Sequence, residues 1–171
     1  MNELITTTSL LDIKFTRTHA LSEEVRAEVT SVLYSLIATY NDAAGIVWEA
    51  HWNSEGNTFI AIHKLFDGIV GLLNGFIDPL AERIRSFGAY ARVNLKFSIE
   101  NTLLGNVPEV SHDVQGNITL IVNALKTISS LLYMYINRLD SIDKTTSNVL
   151  QEHSLAVDKY IYLLQSNLFN S

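Results

Sequence analysis

The chain has 171 residues, 47% of them hydrophobic and 18% charged, with two prolines and no cysteine. That length suits one domain with a sizeable core, the composition speaks against disorder, and the lack of thiols excludes disulfides, zinc–thiolate sites and cysteine nucleophiles. A net charge of −6 sets the chain against polyanionic partners, because like charge repels a phosphate backbone.

The amino-terminal stretch MNELITTTSLLDIKF has no basic segment followed by an apolar run, so no secretory signal is expected and a cytoplasmic location is. No apolar stretch reads as long enough to span a bilayer. Residues 1–21 read as an N-terminal tail with few helix signals, and residues 22–171 as one helical domain.

Ser22 followed by Glu23 and Glu24 is an N-cap signal with acids in the first turn. From there Val25, Val29, Val32, Leu36, Tyr40, Val47 and His51 keep a near-heptad stripe, which predicts a long first helix ending near Asn53. The short Ser54-Glu55-Gly56 turn predicts an antiparallel hairpin with a second helix. That helix is expected from Asn57 or Thr58 to Phe87, with Gly88 at C′. Pro79 lies inside it and predicts a kink, since it removes a backbone donor and crowds the carbonyl four residues back.

Residues 89–111, containing Gly105 and Pro108, read as a long crossover with a short helix at Ser98–Leu104. Two further helices are expected at about Asp113–Leu139 and Thr146–Leu168. The fold class is therefore all-α: a four-helix bundle of the ferritin-like arrangement, with a short extra helix in the crossover between helices two and three.

Five residues between positions 51 and 82 suit a hard or borderline metal: His51, His63, Asp67, Asp78 and Glu82. His63 and Asp67 are four apart and share a helix face, as do Asp78 and Glu82. The eleven steps from Asp67 to Asp78 bring the two pairs within roughly 20° of one stripe. His63 and Asp78, fifteen residues apart, are nevertheless separated by roughly 22 Å along the axis, whereas ligands stand about 2 Å from their ion. One chain thus offers two half-sites. Positions 63 and 82, and likewise 67 and 78, are symmetric about 72.5. Two copies packed antiparallel there would set each half-site against the other, twice. Gly68, Gly71 and Gly75 lie near that axis, and each costs about 1 kcal/mol of helix propensity, as expected where backbones approach closely.

His51-Trp52-Asn53, then His63-x-x-x-Asp67, then Asp78-x-x-x-Glu82-Arg83 resembles the Dps family of mini-ferritins, over a span from about Leu10 to Leu168. The resemblance implies a homododecameric shell with di-iron ferroxidase centres between two-fold-related subunits. Both histidines and Asp67 would come from one chain, Asp78 and Glu82 from its neighbour. It implies iron(II) and hydrogen peroxide as reactants, and zinc or manganese could occupy the same ligands. Two clustered iron(II) ions can give peroxide two electrons together and yield water, whereas a single one releases a hydroxyl radical. Taken singly, each ligand reads more simply as an interface polar group; five at matching spacings point to a metal.

The resemblance further implies that Trp52 stands near the di-iron site and absorbs stray oxidising equivalents. Trp48 reads as an interface anchor, and Arg83 as the partner of a carboxylate or of another subunit. Asp140 and Asp143 match acidic residues that line an iron-entry pore in the family, although Asn148 stands where relatives often carry aspartate. The family's other activity, DNA binding through a lysine-rich tail, is not expected to be strong. Through Leu21 the tail sets only Lys14 and Arg17 against Glu3 and Asp12, and residues 160–171 carry no charge. A nucleoid-binding protein with little iron chemistry is the alternative reading.

Overall fold

A computed structural model describes residues 13–168. Five helices run through them: α1 (Glu23–Asn53), α2 (Phe59–Ser86), α3 (Leu95–Asn101), α4 (Val114–Leu139) and α5 (Lys144–Gln165). The pairs α1–α2 and α4–α5 form two hairpins, joined by the crossover that carries α3 against α1. The arrangement is the expected four-helix bundle with one long connection.

Local chemistry explains most of the boundaries. The Ser22 hydroxyl accepts the Val25 amide and opens α1, while the Ser54 amide closes it on the Ala50 carbonyl. Asp113 caps α4 by accepting from Gln115 and Gly116. The starts of α3 and α5 differ from expectation for the same reason, an unrecognised cap, and both helices end three residues earlier than expected, at Asn101 and Gln165. Asn94 accepts the Phe97 amide and starts α3 three residues before Ser98. Asp143 accepts the Thr146 amide and starts α5 at Lys144 rather than Thr146. α2 continues helically through Pro79.

Leu33, Leu36 and Ile37 of α1, Phe66 and Leu73 of α2, and Leu125 of α4 are wholly buried in the core. Each such side chain stabilises the fold by roughly 1.5–3 kcal/mol. The turn after α1 is tied to the start of α4 by a single bridge, in which the Glu55 amide donates to His112 O (2.7 Å) and the Val114 amide to Glu55 O (3.2 Å).

The described part of the expected tail is docked. Ile13, Phe15 and Leu21 pack on the core, and the Thr16 amide and hydroxyl both donate to Gly88 O. Gly88 has φ +90°, and a Cβ there would meet the Arg17 backbone nitrogen at 2.7 Å, so both the turn and the docked segment require glycine. The buried Arg26 guanidinium spans the junction, donating to Arg17 O and Phe87 O. Positions 1–12 of the expected tail lie outside the described residues.

The expectation about bilayer-spanning length needs correction. Both α2 and α4 are long and apolar enough to cross a membrane by length and composition. Each packs one face into the bundle, and α2 carries Asp67, Asp78 and Glu82 on its exposed side.

His153 of α5 is buried, accepts from the Tyr40 hydroxyl of α1 at 3.2 Å, and stacks on Phe76 of α2 at 3.7 Å. Burial pushes its pKa from 6.5 down to about 4. Between those values the unfolded chain binds the extra proton, so the contribution to stability is complete above pH 6.5 and is lost as pH falls towards 4. The loss is roughly 3 kcal/mol, at 1.36 kcal/mol per pKa unit. His153→Gln, which still offers the phenol an acceptor, should flatten this limb of a urea-stability profile between pH 4 and 6.5. An unchanged limb would assign the acid sensitivity elsewhere.

Candidate metal centre

The hairpin between α1 and α2 assembles the histidine end. His51 sits in the last turn of α1 and is buried; His63 lies in the second turn of α2 and is partly exposed. Their rings stack with centroids 3.7 Å apart and planes at 22°. Each ring nitrogen Nδ1 donates to the other residue's backbone carbonyl, at 3.0 Å from His51 and 3.1 Å from His63. A carbonyl can only accept, so both imidazoles carry a proton on Nδ1, which leaves Nε2 as the nitrogen that can ligate a metal. The reciprocal clasp also fixes both ring orientations. Its members are twelve residues apart and meet only because the turn between them is tight.

The carboxylates sit differently. Asp67, Asp78 and Glu82 are all exposed on α2, on the stripe computed from helical phase. Because α2 is one continuous helix, His63 and Asp78 remain roughly 22 Å apart along its axis. Among the described residues, no three histidine or acidic side chains converge as a metal-holding group. The structure therefore joins His51 to His63 and leaves Asp78 and Glu82 at the far end of the same face.

Gly71 and Gly75 on this face have no atom within 4 Å of where a Cβ would stand. Gly68 departs from the expectation that all three admit a second copy: its missing Cβ makes room for the Tyr160 hydroxyl of the same chain, 2.5 Å away.

Within the chain the tryptophan ring in contact with His51 is that of Trp48. Its ring meets His51 edge-on with centroids 5.1 Å apart, and Trp52 stacks on Trp48 at 5.2 Å. Trp52 is 68% exposed and reaches the clasp through Trp48. The i, i+3 spacing of Trp48 and His51 was the available signal.

Arg83 is the partner of a carboxylate, one of the two parts expected of it, and that carboxylate is Asp143 of the same chain. Arg83 Nη2 donates to both Asp143 carboxylate oxygens at 2.9 Å, and Nε donates to the Thr146 hydroxyl at 3.0 Å. The Asp143 side chain is only 4% exposed. Burial pushes its carboxyl up, but the Thr146 hydroxyl, the Arg83 hydrogen bond and charge, and the Thr146 amide outweigh it and hold the group below the ordinary carboxylate range. Asp143 is thus a helix cap and ion-pair partner inside the chain, with its oxygens engaged by Arg83 and Thr146. Asp140, next to it in the same connection, is exposed and lies 3.7 Å from Lys144.

A family model described as the ferritin-like domain matches residues 30–168. The DNA protection during starvation protein of Agrobacterium fabrum is 25% identical over 149 residues, covering 86% of this chain and 92% of the relative. Dps from Microbacterium arborescens, solved in its high iron form, is 30% identical, with a TM-score of 0.80 over 88% of this chain and 100% of that one. A tetragonal form of Mycobacterium smegmatis Dps has a TM-score of 0.84 at 23% identity, over 88% and 92% of the two chains. At that identity the likeness is one of fold.

Proposed function

We propose, for a chain that belongs to the Dps family of ferritin-like proteins, a ferroxidase that oxidises iron(II) at paired sites between two-fold-related subunits. Iron storage is the family-level function. The finer reading is that His51, His63 and Asp67 of one subunit and Asp78 and Glu82 of its neighbour hold two iron(II) ions as substrate. Hydrogen peroxide is the preferred oxidant, and ferric mineral accumulates in a hollow dodecamer in the cytoplasm.

The observation that carries this reading is the division of α2. One end of its outer face carries His63, clasped to the buried His51 imidazole of α1 so that both rings hold a proton on Nδ1, and the other end presents two exposed carboxylates. Imidazole with carboxylate is a donor set that suits iron. Antiparallel pairing about position 72.5 would set each end against the other end of a second copy.

Within this chain each residue has a stated task. The clasp holds the imidazoles in the metal-binding tautomer, and Asp67 supplies a carboxylate one turn along the same face. Trp48 shields His51 and, with Trp52, offers oxidisable rings beside it. Paired electron delivery to peroxide avoids the one-electron step that releases a hydroxyl radical.

Anaerobic stopped-flow mixing of iron(II)-loaded protein with peroxide or with oxygen tests the activity. Rapid oxidation by peroxide at near two irons per oxidant is expected, with slower oxidation by oxygen. Equal, slow traces matching iron in buffer would remove the ferroxidase reading and leave binding or storage.

Gly71→Leu tests the interface separately. Its Cβ would meet nothing within 4 Å in its own protomer and leucine replaces a poor helix former, so a lone subunit should gain slightly in helix stability. Against an antiparallel copy the added side chain should clash, and size-exclusion chromatography should show the assembly replaced by small species. A full-size shell from this variant would place the two-fold elsewhere.

A further inference from the structure

One buried titratable pair has no part in the ferroxidase reading. Tyr40 is fully buried in the bundle, and the contact of its hydroxyl with His153 Nδ1 at 3.2 Å spans α1 and α5. The phenol must be the donor, because a buried hydroxyl hydrogen without an acceptor would cost roughly 1–3 kcal/mol. Nδ1 of His153 is therefore the unprotonated nitrogen, held against a phenol proton. On its other side the imidazole lies flat on Phe76, with centroids 3.7 Å apart and planes at 12°. Phe76 also contacts Tyr40 at 5.5 Å, so the three rings form one closed cluster.

We infer that Tyr40 and His153 are a redox-active pair, in which the phenol gives up an electron while its proton crosses to the imidazole, and that this pair completes peroxide reduction when a site holds a single iron(II). The inference rests on the ferroxidase reading. Burial pushes the Tyr40 phenol far above its ordinary range and keeps His153 neutral, so a bare phenolate is excluded and a proton acceptor is in place. The aromatic face of Phe76 then lies against the imidazolium that forms, an arrangement that favours the charge.

The electrons balance as follows. A lone iron(II) gives peroxide one electron, yielding iron(III), hydroxide and a hydroxyl radical. The radical takes an electron from Trp48, which stands edge-on to His51, and becomes hydroxide. Trp48 lies eight residues beyond Tyr40 on α1, roughly 12 Å along the axis. It is refilled by an electron from Tyr40, whose proton passes to Nδ1 of His153. A second iron(II) later reduces the phenoxyl, and the proton returns to oxygen. In sum, two iron(II) ions are oxidised, one peroxide becomes two hydroxides, and the protein is unchanged.

The test is freeze-quench EPR of shells given one iron(II) per site and then excess peroxide, in the parent protein, Tyr40→Phe and His153→Gln. The parent should show a tyrosyl signal. Tyr40→Phe should lack it and hold a longer-lived tryptophan radical. His153→Gln should form it about a hundredfold more slowly, the scale of losing a positioned proton acceptor. Oxidation by fully loaded sites should be the same in all three. A tyrosyl signal undiminished in Tyr40→Phe, or formed at the parent rate in His153→Gln, would overturn the inference. Should Tyr40→Phe fail to assemble, Tyr40→Phe combined with His153→Phe removes both polar ends together. If the parent oxidises no iron, the ferroxidase reading fails by itself. The pair is then judged in iron-free protein, with azide radicals generated by pulse radiolysis. Less conversion of tryptophan radical to tyrosyl in Tyr40→Phe would uphold it, and equal conversion would sink it.

Discussion

Two inactive variants should rescue each other when assembled together. His63→Ala with Asp67→Ala removes one half-site, and Asp78→Ala with Glu82→Ala removes the other. Each homogeneous shell should lose iron oxidation at every site, because each proposed site draws on both halves. In a mixed two-fold pair, one site combines the intact histidine end of one subunit with the intact carboxylates of its neighbour, while the other site lacks both. Random co-assembly from equal amounts should therefore restore about a quarter of the parent's sites. Co-purified mixtures measured by stopped-flow iron oxidation give the readout. No recovery in mixed shells of normal size would mean the ligands do not cross the two-fold. Activity retained in the Asp78→Ala, Glu82→Ala shell alone would remove those residues from the site.

Arg83→Met should be the most destabilising single change proposed for the bundle, by about 3–5 kcal/mol. It strands the buried Asp143 carboxylate, which keeps only the Thr146 hydroxyl and amide. Adding Asp143→Leu should recover most of that loss, because an apolar pair of similar volume can replace a buried ion pair at little cost. What remains is the missing cap of α5, about 1 kcal/mol. The coupling would thus be strongly non-additive in a double-mutant cycle. It should be measured by urea denaturation at one fixed protein concentration, since assembly contributes to apparent stability. The pH dependence has a definite sign. Asp143 has a lowered pKa when folded, so its contribution is present above the ordinary value of 3.8 and is lost as pH falls through the depressed one. Equal losses in Arg83→Met and in the double variant would show that the carboxylate is not the source.

Both effects depend on α2, whose two faces differ in how far the amino-acid order reveals them. The exposed face is written in local spacing. Four-residue steps put His63 with Asp67 and Asp78 with Glu82 on one stripe of a helix, whatever that helix packs against. The extent of α1 was equally legible, because Ser22 caps it and the Ser54-Glu55-Gly56 turn ends it. The starts of α3 and α5 were misplaced by two or three residues. Asn94 and Asp143 act there as caps, a role that depends on backbone angles their neighbours do not announce.

What the sequence by itself determined is the all-α class, the bundle with its long crossover, and the ligand types on one helical stripe. These follow from periodicities within a few turns. The tertiary structure alone decided the pairings across long stretches of chain. Arg83 meets Asp143 sixty residues on, Tyr40 meets His153 across one hundred and thirteen, and Glu55 bridges to the start of α4. It also set the tautomers of His51 and His63, through carbonyls brought close by a hairpin. The physical reason is one of range. Helix phase and capping are settled by bonds spanning four residues or fewer, whereas a buried ion pair or a stacked imidazole exists only once packing has excluded water from both partners.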